Sequence, residues 1–258
     1  MEEGRLVYYQ SAADTAYWDE HWQKSISPTF YTAAARGRTS RALDRIFERH
    51  LPREGRILEA GCGLGQVVLA LRVRGYDVEG VEWGERTVAM ARSVRDDLPI
   101  RVGDVTALDV PDGHYAGYVS LGVMEHRREG PEPFLAEALR VLRPGGIACI
   151  SVPSLYALRR CKARLGLYRG RPEGMQFYQY VYPRAEFSDL VRAAGFEIVG
   201  SGSYAGYMGL REEIPLLRLL IRWRVGRGLF RRLLEHRRWV DDRCGHMLMV
   251  VARKPDAA

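Results

Sequence analysis

The chain is predicted to fold as a doubly wound, mostly parallel α/β sheet, and three observations carry that expectation. Between Arg56 and Phe196 short apolar runs alternate with helix-period segments. The first run, Arg56–Ala60, ends at an acid and continues into glycines at every second position, Gly61-Cys62-Gly63-Leu64-Gly65. Later runs also end in residues able to meet a ligand, where open α/β sheets bind them.

Each element has a local cause. Tyr17, Trp18, His21 and Trp22 fall at helical spacings in an aromatic opening segment. Ser40 is a natural N-cap for a helix running to His50, with Leu43, Ile46 and Phe47 as its apolar stripe and Pro52 after its end. Strand 1 is Arg56–Ala60, followed by a helix from Gly65 to about Arg74. Strand 2 covers Tyr76–Glu82 and leads to a helix over Glu85–Arg95. Strand 3 is short, Pro99–Val102, and strand 4 spans Tyr115–Leu121. A helix carrying Phe134, Leu135, Ala138 and Leu139 on one side reaches the turn Leu142–Gly146, which opens strand 5, Ile147–Val152. An Arg, Gly and Tyr-rich stretch to Tyr182 reads as an irregular flap. A helix over Ala185–Ala194, strand 6 (Phe196–Gly200) and a last strand (His246–Ala252) complete seven strands.

The domain organisation expected is a single unit. It comprises an N-terminal helical cap (1–52), a binding core (55–153), the flap (154–182), a helix and strand (183–204), a basic helical insert (205–243) and the last strand (244–253). At 258 residues the chain suits one sizeable domain. The acidic start, Met1-Glu2-Glu3-Gly4, does not read as a signal peptide, and no window approaches the ~18 apolar residues of a membrane span. Cys62, Cys149, Cys161 and Cys244 are scattered without a C-x-x-C pair, so a reduced, cytoplasmic protein without structural zinc is expected.

Net charge is +7, and Arg211–Arg243 alone holds ten arginines against five acids. The remaining near-neutral chain argues against a protein that coats nucleic acid. Within that insert Ile214, Leu217, Leu220, Ile221 and Val225 share a helical side. Such a basic amphipathic element packs its apolar side on the domain, makes a peripheral membrane contact through 211–243, or receives an acidic substrate.

The glycine spacing narrows the ligand. A dinucleotide fingerprint, G-x-G-x-x-G, needs its third glycine at 66 or 68, which are Gln66 and Val68. This chain instead has E-x-G-x-G-x-G, with Glu59 where a carboxylate repels pyrophosphate and suits a cationic ligand. The pattern resembles motif I of the class I S-adenosylmethionine-dependent methyltransferases, and the resemblance covers roughly Glu59 to Phe196 and the final strand.

The resemblance implies a Rossmann-like seven-stranded sheet with an antiparallel last strand, and S-adenosyl-L-methionine as cofactor. It implies cofactor contacts at Glu59, Ala60, Gly61, Gly63 and Gly65. Glu82 would accept from the ribose hydroxyls, Trp83 would lie against adenine, and Asp104 and the Val105 N–H would meet adenine's edge. Leu121 and Gly122 would lie beneath the sulfonium. From their aromatic composition rather than the resemblance, Tyr17, Trp18, His21 and Trp22, with the flap from Leu155 to Tyr182, are the candidates to cover the cofactor and exclude water beside a flat or apolar acceptor. Two positions depart from the usual pattern: Glu82 stands where Asp is commoner, and Gly84 replaces a Ser or Thr cap.

The run Ser120–His126 looks most like the small-molecule methyltransferases of the ubiquinone and menaquinone pathways. Some of these hold a metal with E-x-x-E-H; here Gly122 replaces the first acid, so no metal is expected. His126 is the candidate general base, while Glu125 and His126 otherwise serve to orient the following loop. Asp104 likewise could be only the N-cap of the next turn. The expected function is methyl transfer to an O, N or C atom of a small or lipid-like acceptor. A nucleic-acid methyltransferase is disfavoured, because the Asn/Asp-Pro-Pro-aromatic run of base-amino methylating members is replaced by Ser120-Leu121-Gly122-Val123. A non-catalytic S-adenosylmethionine-binding module and, opposed by the glycine spacing, a nicotinamide dehydrogenase are the remaining alternatives.

Overall fold

The computed structural model describes residues 4–10, 15–27, 29–168, 173–214, 217, 234 and 237–256. Strands β1 (Leu6–Gln10), β2 (Ile57–Ala60), β3 (Val78–Glu82), β4 (Ile100–Val102) and β5 (Tyr115–Leu121) precede β6 (Leu142–Pro153), β7 (Gln176–Val181), β8 (Glu197–Tyr204) and β9 (Met247–Arg253). Helices are α1 (Thr15–Ser25), α2 (Arg41–His50), α3 (Gln66–Val73), α4 (Glu85–Val94), α5 (Glu132–Val141), α6 (Ala157–Arg164), α7 (Arg184–Ala193), α8 (Gly206–Glu213) and α9 (Arg238–Cys244).

Seven strands form one sheet in the order β4-β3-β2-β5-β6-β9-β8. The strands β2 to β6 pair in parallel, whereas β9 runs antiparallel to both β6 and β8. This is the doubly wound sheet with an antiparallel last strand that the sequence led us to expect. Side chains alternate between two cores with the period of a pleated strand. Ile57, Val119 and Cys149 face a layer containing Phe47, Val68, Leu71 and Ala91. Leu58, Tyr118, Ile150 and Val152 face the opposite layer with Leu135, Ala138, Phe187 and Val191. Burial on both faces explains why these strands read as continuous apolar runs.

Three features differ from the sequence expectation. The N-terminal cap is not wholly helical, because β1 forms an antiparallel two-stranded ribbon with β7. The flap is correspondingly ordered, contributing α6 and β7. The turn expected before strand 5 lies inside β6, as an irregularity where Gly145 takes a φ of 71°. The expectation of a basic amphipathic insert falls mainly on residues outside the described ones; α8 and α9 flank them. Among the described residues, no helix is long and apolar enough to cross a membrane.

The flap is fixed by buried charge. Arg159 on α6 is about 1% exposed and pairs with Glu213 at 3.0 Å and Glu212 at 3.0 Å on α8. Lys162 and the Tyr168 hydroxyl also donate to Glu213, at 2.6 and 2.7 Å. Burial alone pushes the Glu213 carboxyl up, but these donors outweigh it and hold it below the usual range.

Candidate functional site

The strand order reverses between β2 and β5, and the carboxyl ends of the flanking strands form a crevice there. That crevice is a cavity of about 500 Å³, lined by residues that follow β2, β3 and β5 and by aromatic side chains from α1, α5 and β7. Its size and mostly apolar wall are those of a small-molecule site.

The glycine loop enters α3 through three positive-φ residues, Gly61 (75°), Gly63 (52°) and Gly65 (74°). Here the glycines also make room for protein. A Cβ on Gly61 would stand 2.4 Å from Val123 Cγ2, and one on Gly63 would stand 2.4 Å from Trp22 Cζ2. Val123 and Trp22 are themselves cavity walls, so the close approach brings α1 and the loop after β5 onto the glycine loop. The segment before α2 clamps the same loop. The Tyr31 hydroxyl donates to the Leu64 carbonyl at 2.6 Å, and Gln66 donates to the Phe30 carbonyl at 2.8 Å.

Carboxylates replace the missing side-chain caps of both adjoining helices. The N-cap of α3 is Gly65, and Glu59 accepts the Val68 N–H at 2.9 Å. The N-cap of α4 is Gly84, and Asp19 on α1 accepts both the N–H and hydroxyl of Thr87, at 3.1 and 2.8 Å. The departure at Gly84 therefore has a cause: a Cβ there would lie 2.8 Å from Asp19 Oδ1. An acid at a helix N-terminus satisfies orphan N–H groups and complements the dipole.

Glu82 is buried and accepts from the Gly63 N–H at 2.9 Å and the Gly84 N–H at 3.1 Å. Burial raises its carboxyl against the pull of those bonds. The Trp83 N–H is a third backbone donor to this carboxylate, which leaves about one of its roughly four lone-pair sites for a ligand. Glu59 is completely enclosed, and burial pushes its carboxyl to about 8, opposed by the Val68 N–H and reinforced by nearby Glu82. Such a group favours a cationic ligand, whose charge would restore its ionised form.

The cavity wall brings together Glu59, Gly61, Glu82, Trp83, Leu121, Gly122, Trp18, Trp22 and His126 among the expected residues. Gly63 and Gly65 shape the loop without being counted in that wall, and Ala60 is buried in the core behind it. Asp104 and Val105 are not brought to it. Asp104 is exposed, and its Oδ1 accepts from the Thr106 N–H at 2.8 Å and hydroxyl at 2.7 Å. Val105 is buried in the core. Tyr17 and His21 stand beside the wall, their rings edge-on or tilted against Trp18, Trp22 and Tyr178.

His126 sits between Trp18 and Tyr178, with ring centroids at 4.7 and 4.9 Å. Its Nδ1 is 2.9 Å from the Tyr178 carbonyl. A carbonyl only accepts, so Nδ1 carries the proton and Nε2 is left with a lone pair. Burial lowers the imidazole to about 4, making it neutral near pH 7. Glu125 is buried beneath Gly122, and burial raises it to about 8. Among the described residues no cluster of three His, Cys, Asp or Glu side chains is placed to hold a metal.

Sequence reasoning missed Val123, Phe134, Phe177, Arg127, Arg128 and Glu129, all on the wall. The last three directly follow His126 in the chain, and that adjacency was the available signal. Phe177 lies in the aromatic flap expected over 154–182, but its own place was not legible, because it arrives on β7 through pairing with β1.

Comparison with known proteins gives the family. A methyltransferase domain family matches residues 31–201, about two thirds of the chain. A probable S-adenosylmethionine-dependent methyltransferase of Mycolicibacterium smegmatis is 32% identical over 143 residues, 55% of this chain and 52% of that protein. A ubiquinone biosynthesis O-methyltransferase of Cereibacter sphaeroides is 28% identical over 165 residues, covering 60% of this chain and 66% of its own length. The chain thus spans about half to two thirds of these relatives. A phosphoethanolamine N-methyltransferase of Haemonchus contortus, solved with S-adenosyl-L-methionine, superposes with a TM-score of 0.60 at 15% identity over 95% of this chain and 61% of that one. On the matched residues and the sheet that carries them, the chain belongs to the S-adenosylmethionine-dependent methyltransferase family of class I.

Proposed function

We propose that the protein transfers the methyl group of S-adenosylmethionine to a small or lipid-like acceptor. The observation that carries this reading is the convergence of the glycine loop, Glu59 and Glu82 on one apolar cavity. The residues fit the donor's chemistry: two enclosed carboxyls suit a cation and a diol, and Leu121 and Gly122 offer a floor without competing donors. When bound, S-adenosylmethionine supplies a methyl carbon activated by a positive sulfur.

In this reading Glu82 accepts from the ribose diol with the acceptor capacity left by the Gly63, Trp83 and Gly84 N–H groups. Glu59 stabilises the donor's positive end through the glycine loop. Half-exposed Trp83 provides a face for adenine, while Asp104, exposed and bonded to Thr106, and Val105, buried in the core, lie off the cavity wall. Trp18 and Trp22 exclude water and hold the acceptor against the donor. His126 orients the loop after β5 by its bond to Tyr178, and its free Nε2 is available to take an acceptor proton. The aromatic walls from Trp18, Phe134 and Phe177 support a flat or apolar acceptor body.

Calorimetry with S-adenosylmethionine, followed by labelled methyl transfer to phenols, quinols and amines, tests the proposal. A binding site without turnover on any acceptor would leave a non-catalytic module; no heat of binding would end the reading altogether.

A further inference from the structure

We infer that Glu125 is a positioning residue for the methyl transfer, acting through His126: its carboxylate receives the proton that the imidazole Nε2 takes from a hydroxyl acceptor. The inference rests on the preceding reading and names the proton's destination in that same site.

The other buried glutamates all have structural duties. Glu59 and Glu82 accept backbone N–H groups of the glycine loop and the helices beside it. Glu137 pairs with Arg140, and Glu213 with Arg159 and Lys162. Glu125 has no cation and no distant donor among the described residues. Its side chain is 3% exposed, its own N–H is the backbone donor to it, and its Oε2 is buried without a hydrogen-bond partner. A buried polar atom left in this way calls for a reason beyond packing.

The geometry supplies one. Glu125 lies in the short helical turn Met124–His126 that follows β5. Its Oε1 is 3.9 Å from His126 Nε2 and 3.4 Å from the point where a Cβ on Gly122 would stand. Both Gly122 and His126 are cavity wall, so the carboxyl lies one side chain behind the reacting space. The Tyr178 carbonyl fixes the proton of the ring on Nδ1, which turns the lone pair of Nε2 to this carboxyl. The gap exceeds a hydrogen bond, as catalytic pairs often do before the reactants tighten them.

Alone, the imidazole is a weak base, because burial lowers it to about 4. Burial raises the carboxyl behind it to about 8. Near pH 7 the pair therefore holds its one exchangeable proton on Glu125, and it becomes a competent base as pH rises through 8. In the transfer, an oxygen lone pair of the acceptor forms the bond to the methyl carbon, and the electrons of the carbon–sulfur bond pass to sulfur. The acceptor's O–H proton moves to Nε2 and from there to Glu125 Oε1, and leaves to water after the products. The titratable groups on neighbouring elements are His21 on α1, Tyr178 on β7, Tyr182 after it and Tyr204 on β8, with Arg127 next in the chain. Burial pushes the three tyrosine hydroxyls up, so they stay neutral through this range, and His21 disfavours a charge on His126.

The test uses the full chain saturated with S-adenosylmethionine, with phenol and 4-nitrophenol as acceptors in single turnovers. Phenol keeps its proton across this range and needs a base; 4-nitrophenol ionises within it and does not. The phenol rate should climb by up to about tenfold per pH unit and level off near 8. Glu125→Gln should remove that limb and slow phenol about tenfold to a hundredfold at the plateau, while the phenol KM and the 4-nitrophenol rate change less than about threefold. Glu125→Asp should restore part of the limb, and His21→Gln should retain it. Circular dichroism establishes that the variants are folded. Equal slowing of both phenols, a limb that persists in Glu125→Gln, or one lost in His21→Gln would overturn the inference. Nitrogen NMR of the His126 ring gives a readout that needs no turnover: its Nε2 signal should shift as Glu125 titrates near pH 8, and not in Glu125→Gln. A signal flat through that range also overturns the inference. A chain that binds no S-adenosylmethionine fails the underlying reading; one that methylates phenol equally well as Glu125→Gln fails only this step.

Discussion

The two halves of the cavity are built by opposite strategies. The half made by Glu59, the glycine loop and Glu82 comes from two adjacent parallel strands and the turns that follow them. The half made by Trp18, Trp22 and Phe177 is assembled from segments far apart in the chain, joined by the β1–β7 ribbon and by the bond from Thr87 on α4 to Asp19 on α1. The first half depends on backbone geometry fixed by the central sheet. The second depends on a few side-chain contacts that hold peripheral elements in place. Chemistry common to a family can reside in the first, and choice of acceptor can vary in the second without disturbing the sheet.

The sharpest way to break this division is to release the flap. Arg159→Ala leaves Glu213 buried with fewer partners, and should cost about 3–5 kcal/mol of stability by denaturant unfolding. A loss of less than 1 kcal/mol would mean that the peripheral half does not rely on this cluster. Next, Glu82→Ala removes the acceptor of the Gly63 and Gly84 N–H groups together with the proposed ribose contact. Two such losses at about 1–3 kcal/mol each predict roughly a thirtyfold or greater weakening of S-adenosylmethionine binding by calorimetry.

Glu59 gives a pH-dependent test confined to the first half. Its folded carboxyl lies near 8 against a usual 4.5, so folding favours the protonated form. The stability it contributes is complete below about pH 4.5 and declines as pH rises through 8. A cationic donor favours the ionised form, so affinity should increase from pH 6 to 8, by at most about tenfold per unit. Glu59→Gln should flatten that slope; an unchanged slope places the titration elsewhere.

Smaller effects sharpen the boundary between the halves. Asp19→Ala removes the cap of α4 and the tie to α1, and should lower stability by about 1 kcal/mol. Because α1 carries Trp18 and Trp22, the acceptor KM should rise more than the donor's. Asp104→Ala should change donor affinity less than about threefold, since the group is exposed and bonded to Thr106. A large effect there would extend the donor half beyond the cavity wall.

The sheet was legible because its signals are local. Parallel strands buried on both faces give short apolar runs, and Gly61, Gly63 and Gly65 declare a turn that ordinary residues rarely adopt. The E-x-G-x-G-x-G spacing and the strand-ending Glu82 pointed in the same way to the acidic half of the cavity. The remainder required contacts that spacing does not encode. Asp19 meets Thr87 across 68 residues, and Leu6 pairs with Val181. An Arg, Gly and Tyr-rich composition hid α6 and β7, since a strand whose partner is remote carries little periodic signal of its own. Asp104 shows the converse: its place after the third core strand suggested an adenine contact, while the turn-capping role also legible in the sequence is the one its bonds to Thr106 bear out, and only its exposure was invisible.

The ribbon also bears on how the chain can be handled. The family match begins at residue 31, but β7 takes its backbone partners from residues 6–10, and Arg5 contacts Glu186 on α7. A shortened protein starting at that boundary would present a bare strand edge carrying Phe177 and Tyr178, inviting self-association in place of the missing partner. The smallest soluble unit therefore has to retain the first few residues, far outside the segment that identifies its family.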